Sequence, residues 1–118
     1  MKHISLLLSA LFLSIGAAQA VAGSCDINTT RTACTGKEAI SYKKCDGKPS
    51  CVKTVSVDTA DACRAKAVAA CANDRLDITK NKVITATFNG KPVQNKAGGA
   101  DQCLDYAERA AEFNQCGN

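Results

Sequence analysis

Histidine, methionine and tryptophan are nearly absent from this sequence of 118 residues. There is no Trp, and the one His and the one Met both lie within the first three positions. Imidazole is the most frequent general base and metal ligand in proteins, and beyond His3 the chain has none. This excludes Ser–His and Cys–His nucleophiles and imidazole metal sites from the rest of the chain. We therefore expect no catalytic activity, with a His-free hydrolase built on Lys, Asp and Ser as a distant alternative.

Large apolar side chains are also scarce. Leu, Ile, Val and Phe make up about 15% of residues 21–118, below the ~20% at which a chain without cross-links begins to look disordered. The aromatic residues of this part are only Tyr42, Phe88, Tyr106 and Phe113. A core this thin needs covalent cross-links to be stable.

The first residues have the pattern of an export signal. A positive start at Lys2, an apolar run at residues 4–16 and Ala-Gln-Ala at residues 18–20 are typical of a cleaved leader, and the run is too short to span a bilayer. We predict a signal peptide at 1–20 and one domain at 21–118 without a transmembrane segment. The predicted location is the periplasm or the extracellular space.

Cysteine, by contrast, is frequent, with eight in the chain. An even number in an exported protein predicts four disulfides. No two cysteines have the C-x-x-C spacing of zinc or thioredoxin-type sites, so we expect no metal and no cofactor. The alternative, lipidation of Cys25 after Ala-Gly-Ser, would leave seven cysteines and one free thiol. The eight positions are Cys25, Cys34, Cys45, Cys51, Cys63, Cys71, Cys103 and Cys116.

Geometry limits which cysteines can pair. Cys63 and Cys71 lie on one predicted helix with a rise of about 12 Å between them, too far for a disulfide. Each must therefore bond to another element, which would join the two predicted helices. The expected pairs are Cys25–Cys34, Cys45–Cys51, Cys63–Cys116 and Cys71–Cys103.

Hydrophobic periodicity predicts a small α+β domain. Alternation over short stretches is typical of strands, Asn-Gly is a strong hairpin signal, and an apolar arc at helical spacing predicts an amphipathic helix. The expected order is ββαββα, with antiparallel hairpins and two helices packed on one face. The predicted elements are strands at 38–44 and 52–57, a helix at 59–73, strands at 82–88 and 91–94, and a helix at 101–114.

Lysines surround the predicted first turn, and we take them as the candidate binding residues. They are Lys43, Lys44, Lys48 and Lys53. A cross-linked positive tip is suited to an acidic protein partner. The alternative is a solvated turn whose lysines protect a sheet edge. The acidic side chains of the last helix, Asp101, Asp105, Glu108 and Glu112, are interpreted as an ordinary solvated face.

Charge argues against nucleic acid as the partner. The formal net charge of the chain is +4, of which Lys2 contributes one, below the footprint of nucleic-acid-binding domains. The prediction is a small exported binding protein, such as a periplasmic inhibitor, an immunity protein or an envelope interaction protein. In design the chain resembles small periplasmic inhibitors that present a disulfide-braced loop. The alternative is a structural or small-ligand-binding envelope protein.

Overall fold

A computed structural model describes residues 23–73, 75–113, 115 and 116. The predicted signal peptide, 1–20, lies outside the described residues. Two single turns of 3₁₀ helix, at Lys43–Cys45 and Gln102–Asp105, supplement the regular elements. The regular elements are β1 (Gly23–Ala33), α1 (Glu38–Ser41), β2 (Ser50–Val57), α2 (Ala60–Ala69), β3 (Thr79–Phe88), β4 (Lys91–Pro92) and α3 (Arg109–Glu112).

The four strands form one antiparallel sheet in the order β2-β1-β3-β4. Strands β3 and β4 form the predicted hairpin, in which Asn89 and Gly90 both have positive φ angles of 52° and 82°. Positive φ at both central residues is the conformation that Asn-Gly favours in a two-residue hairpin turn. The mixed α+β character of the domain is therefore confirmed.

The core lies between one face of the sheet and helix α2. In the register of β1 and β3, Cys25 is opposite Phe88 and Ile27 is opposite Ala86, so these side chains share a face. Ile84 on the same face is fully buried. The buried cluster is Cys25, Ile27, Val57, Cys63, Ala67, Cys71, Ile84, Ala86, Val93 and Cys103.

Helix α2 is capped at both ends. The hydroxyl of Thr59 accepts a hydrogen bond from the Ala62 N–H at 3.0 Å, which satisfies a free donor of the first turn. At the other end the buried Lys82 Nζ donates to the carbonyls of Ala70 (3.1 Å) and Ala72 (2.6 Å), where a cation is favourable. In the described residues no helix is long and apolar enough to cross a membrane.

All eight cysteines form disulfides, as predicted from their even number. The expected pairs Cys45–Cys51 and Cys71–Cys103 form, whereas the expected pairs Cys25–Cys34 and Cys63–Cys116 were wrong. Cys25 faces α2 from the centre of the sheet and therefore reaches the helix rather than its own neighbour along the chain. The bonds are Cys25–Cys63, Cys34–Cys116, Cys45–Cys51 and Cys71–Cys103.

The order ββαββα does not form, because the first predicted hairpin is absent. Residues 38–44, predicted as a strand, contain α1 and most of the first 3₁₀ turn. The amide of Ser41 donates to the Lys37 carbonyl and that of Tyr42 to Glu38, and Ile40 is 48% exposed. The partner of β2 is instead β1, a segment for which no strand was predicted.

The last predicted helix, 101–114, is also wrong as one element. It divides into the 3₁₀ turn at Gln102–Asp105 and the four-residue α3, with Tyr106 in an extended conformation between them. Disulfides tie Cys103 to α2's end and Cys116 to the end of β1, so the two ends of this segment are held by different elements. The predicted arrangement, with two helices packed on one face of the sheet, therefore does not form.

Candidate functional site

Helix α2 covers only part of the sheet face on which it lies. It packs mainly against β3, and Cys25 and Val57 are also buried, but the face is open where the C-terminal half of β1 meets the N-terminal half of β2. A groove of about 550 Å³ occupies this open part. Its lining residues are Ile27, Thr29, Arg31, Lys44, Cys51, Lys53, Val55, Lys66, Ala69 and Ala70.

Four cations line this groove, and none of the lining residues is acidic. Arg31 comes from β1, Lys44 from the first 3₁₀ turn, Lys53 from β2 and Lys66 from α2. Among the described residues, no carboxylate forms an ion pair with Arg31, Lys53 or Lys66. A concave surface with one sign of charge and low-dielectric walls concentrates counter-ions. The groove is therefore suited to an anionic group.

Arg31 is the most enclosed of the four cations. Its Nη1 donates to Sγ of the disulfide-bonded Cys45 at 3.2 Å, and a disulfide sulfur is a weak acceptor. Burial lowers the pKa of the Arg31 guanidinium from its usual value, although it stays protonated at any physiological pH. A partly desolvated cation without a carboxylate gains strongly from an incoming anion.

The Cys45–Cys51 disulfide fixes two of the groove's cations relative to each other. It links the 3₁₀ turn that ends at Cys45 to the start of β2, over a separation of six residues. The chain reverses between them through Asp46 and Gly47, both with positive φ. Lys44 and Lys53 are thereby held on one rigid framework, which lowers the entropy lost when a ligand binds.

Part of the groove's lining is apolar. Ile27 and Val55 come from neighbouring strands, and Ala69 and Ala70 come from the end of α2. Apolar surface beside these charges matches an amphipathic acidic partner better than a free ion, because both kinds of surface are then buried.

The four lysines predicted from the sequence are divided between the groove and the surface outside it. Lys44 and Lys53 line the groove, whereas Lys43 and Lys48 are exposed and do not. The sequence reading missed Arg31 and Lys66, which are distant along the chain. The available signal for Arg31 was its place in the series Cys25, Ile27, Thr29 and Arg31, which share one face of a strand. This signal was obscured because Thr29 and Arg31 are polar, like the residues between them.

The carboxylates near the C-terminus are used within the domain. Asp101 forms an ion pair with Arg109 at 3.1 Å, and Asp105 accepts from the Lys96 amide at 3.0 Å. Glu112 accepts from the Tyr106 hydroxyl at 2.8 Å and from the Asn73 amide at 2.8 Å. These groups hold the C-terminal segment to the body of the domain.

A second cavity, of about 670 Å³, lies beside this segment. Its lining includes Lys80, Tyr106, Arg109 and Phe113. Arg109 is neutralised by Asp101 and lies 5.9 Å from the centre of the Phe113 ring. Its positive charge is therefore already matched, and this cavity is less suited to an anion than the groove.

Within the described residues, no group of three or more His, Cys, Asp or Glu side chains could hold a metal ion. Comparisons with protein-family models, curated proteins and solved structures found no match to this chain. The interpretation of the groove therefore depends on its own residues and geometry.

Proposed function

We propose that this protein is an exported binding protein without catalytic activity, and that its basic groove binds an acidic region of a partner protein. The observation that supports this most strongly is the set of four cations from four elements with no acidic residue among the groove's lining. Lysines that serve only as solvated surface residues would not need to come together in one groove from four different elements. A periplasmic inhibitor, an immunity protein or an envelope interaction partner would each use a site of this kind.

The four disulfides support export, since such bonds persist in oxidising compartments. The size of the groove supports a protein region over a single small anion. A volume of about 550 Å³ with a partly apolar lining is far larger than one phosphate or carboxylate needs. The basic rim would also speed association with an acidic partner through long-range attraction.

A small-ligand-binding envelope protein is the second candidate. The specific observation in its favour is Arg31, whose guanidinium is partly buried at one side of the groove with a disulfide sulfur as its hydrogen-bond acceptor. A single carboxylate or phosphate group on a small molecule would pair with it in two-pronged fashion. Such a ligand would engage Arg31 and leave Lys66 unaffected.

Charge reversal with matched controls tests the proposal. Poly-L-glutamate is titrated into the isotopically labelled protein and followed by amide chemical shifts. We expect the shifts to concentrate on the groove, and the variant Lys53→Glu/Lys66→Glu to weaken binding at least tenfold. The control Lys43→Glu/Lys48→Glu makes the same change in net charge outside the groove and should weaken binding less than threefold.

Two results would contradict the groove assignment. Equal weakening by the two double variants would mean that only net charge matters. Shifts confined to the neighbourhood of Lys43 and Lys48 would restore the tip predicted from the sequence. A partner isolated from the exported fraction should likewise be released by the groove variant and retained by the control.

A further inference from the structure

Strand β2 forms one edge of the sheet, and its outer side has no neighbouring strand among the described residues. The ladder defines which of its backbone groups point outward. The Arg31 amide donates to the Pro49 carbonyl at 2.8 Å, and the Ser24 carbonyl accepts from the Asn89 amide at 2.9 Å. Odd-numbered residues of β1 thus bond to β2 and even-numbered ones to β3. The outward N–H and C=O groups of β2 therefore belong to Ser50, Val52, Thr54 and Ser56.

This edge lacks most of the features that prevent strand addition. Its pairing with β1 runs from Gly23↔Val57 to Thr30↔Ser50 without a register shift, so there is no bulge. Pro49 precedes the strand, and no proline lies within it. Val52 is 60% exposed on this edge. The outer edge of this regular eight-residue strand is an available template for another chain.

The one charged residue of β2 makes this template selective. Lys53 lies on the groove face of the strand, as do Cys51 and Val55. A second copy of β2 added antiparallel around this position would bring two Lys53 side chains together, which is unfavourable. A chain with a carboxylate at that position would instead pair with Lys53.

We infer that the acidic region of the partner is an extended segment that adds to the outer edge of β2 as a fifth strand, with carboxylates on alternate residues directed into the groove. This rests on the proposed function and specifies how that site is occupied. Main-chain hydrogen bonds to Ser50, Val52, Thr54 and Ser56 hold the segment, as in other cases of β-strand addition. Alternation of the strand then places every second side chain on the side of Lys53, Lys44 and Lys66.

The first test removes one outward donor from β2. Val52→Pro deletes an N–H that faces away from β1, a position at which edge strands tolerate proline. Val52→Thr keeps the N–H and changes the same side chain, so it is the matched control. The probe is the capped octapeptide of alternating Glu and Val. We expect Val52→Pro to weaken its binding at least tenfold and Val52→Thr to weaken it less than twofold.

The second test leaves the protein unchanged and methylates the peptide backbone. One version carries N-methyl groups on the Val amides and the other on the Glu amides. In an added strand, only one of these two sets faces β2. An antiparallel strand presents the Val amides to β2, and a parallel strand presents the Glu amides. We expect only one methylated version to lose binding, together with slowed hydrogen exchange of the Val52 and Thr54 amides in the complex.

The outcomes separate this inference from the proposed function. Strand addition is wrong if the alternating peptide does not bind. It is also wrong if both methylated peptides bind like the parent peptide, or if both bind more weakly than the parent. The groove assignment still stands in each case if Lys53→Glu/Lys66→Glu reduces binding of poly-L-glutamate. A dimer of the free protein that persists in Val52→Thr and dissociates in Val52→Pro would assign the edge to a second copy and overturn the acidic segment.

Discussion

Two parts of the helix-bearing sheet face differ in cover and in charge. Over β3 and the start of β1, helix α2 and the second 3₁₀ turn bury Cys25, Ile84 and Ala86, and the Cys71–Cys103 disulfide joins these two covering elements. Where the C-terminal half of β1 meets the N-terminal half of β2, the same face is open, basic and bordered by the short Cys45–Cys51 loop. We call these the covered half and the open half.

The proposed function would place stability and binding in separate parts of one small domain. A chain with few large apolar residues cannot bury both halves of a sheet face. Its limited apolar surface is concentrated where α2 covers the sheet, and long-range disulfides add to it there. The open half is left free for unpaired cations such as Lys53, which would reduce stability if they were enclosed. Substitutions in the two halves should therefore affect different measurements.

Disulfide removal should give the largest contrast. The Cys25–Cys63 bond spans 38 residues and Cys45–Cys51 spans six. From loop-closure entropy alone, their loss should cost about 4 and about 2 kcal/mol respectively. The variants Cys25→Ala/Cys63→Ala and Cys45→Ala/Cys51→Ala are compared by urea unfolding. Equal midpoints would show that the two halves stabilise the fold to the same degree.

Two lysines give the next contrast. Lys82 on β3 is 5% exposed and its Nζ donates to two carbonyls at the end of α2, whereas Lys53 on β2 is exposed. Lys82→Met leaves those carbonyls without their donor and should cost about 1–3 kcal/mol. Lys53→Met should change the unfolding free energy by less than about 0.5 kcal/mol. A larger loss from Lys53→Met would mean that the open half also carries stability.

The covered half was the more predictable of the two from sequence. The strand at β3, its Asn-Gly turn and the helix at α2 were expected near the positions where they occur, because local periodicity and turn chemistry determine them. Strand β1 was missed for a reason that lies in the open half. Asp26 and Asn28 face the uncovered side of the sheet, and Thr29 and Arg31 face the groove. The strand therefore shows only Cys25 and Ile27 as an apolar signal.

The disulfide pattern and the last helix were beyond sequence reasoning for a related reason. The amphipathic arc of residues 101–114 cannot reveal that Cys103 and Cys116 are held by distant elements, which interrupts the helix at Tyr106. Half of the candidate site was found because Lys44 and Lys53 lie close along the chain. Arg31 and Lys66 join them only through the topology of the sheet and the crossing of α2.

Two arginines sharpen the separation of stability and binding. Arg64 pairs with Asp61 at 2.8 Å and donates through Nε to the Gln94 carbonyl at 2.9 Å, while Arg31 has no carboxylate partner among the described residues. Arg31→Met should leave the melting temperature unchanged and weaken poly-L-glutamate binding severalfold. Arg64→Met should lower the melting temperature slightly and leave binding intact. The reverse pattern would place the anion site beside Arg64.

The smallest expected effect concerns alkaline pH and the covered half. The Glu112 carboxylate accepts a hydrogen bond from the Tyr106 hydroxyl at 2.8 Å and raises the pKa of Tyr106 to about 12, from about 10 in an unfolded chain. Since the folded pKa is the higher one, this hydrogen bond stabilises the fold fully below pH 10. The contribution is lost as the pH rises from 10 towards 12.

The Tyr106→Phe variant lacks this hydrogen bond, so its comparison with the wild type measures the contribution of the bond alone. Between pH 10 and 12 the unfolding free energy of the wild type should fall by more than that of the variant. In a titration followed by absorbance at 295 nm, the tyrosinate step at the highest pH should be missing in the variant. Binding of poly-L-glutamate at neutral pH should be identical in the two proteins, because Tyr106 lies in the covered half and outside the groove. A change in that binding would show that the C-terminal segment and the groove are coupled, and the division into two independent halves would fail.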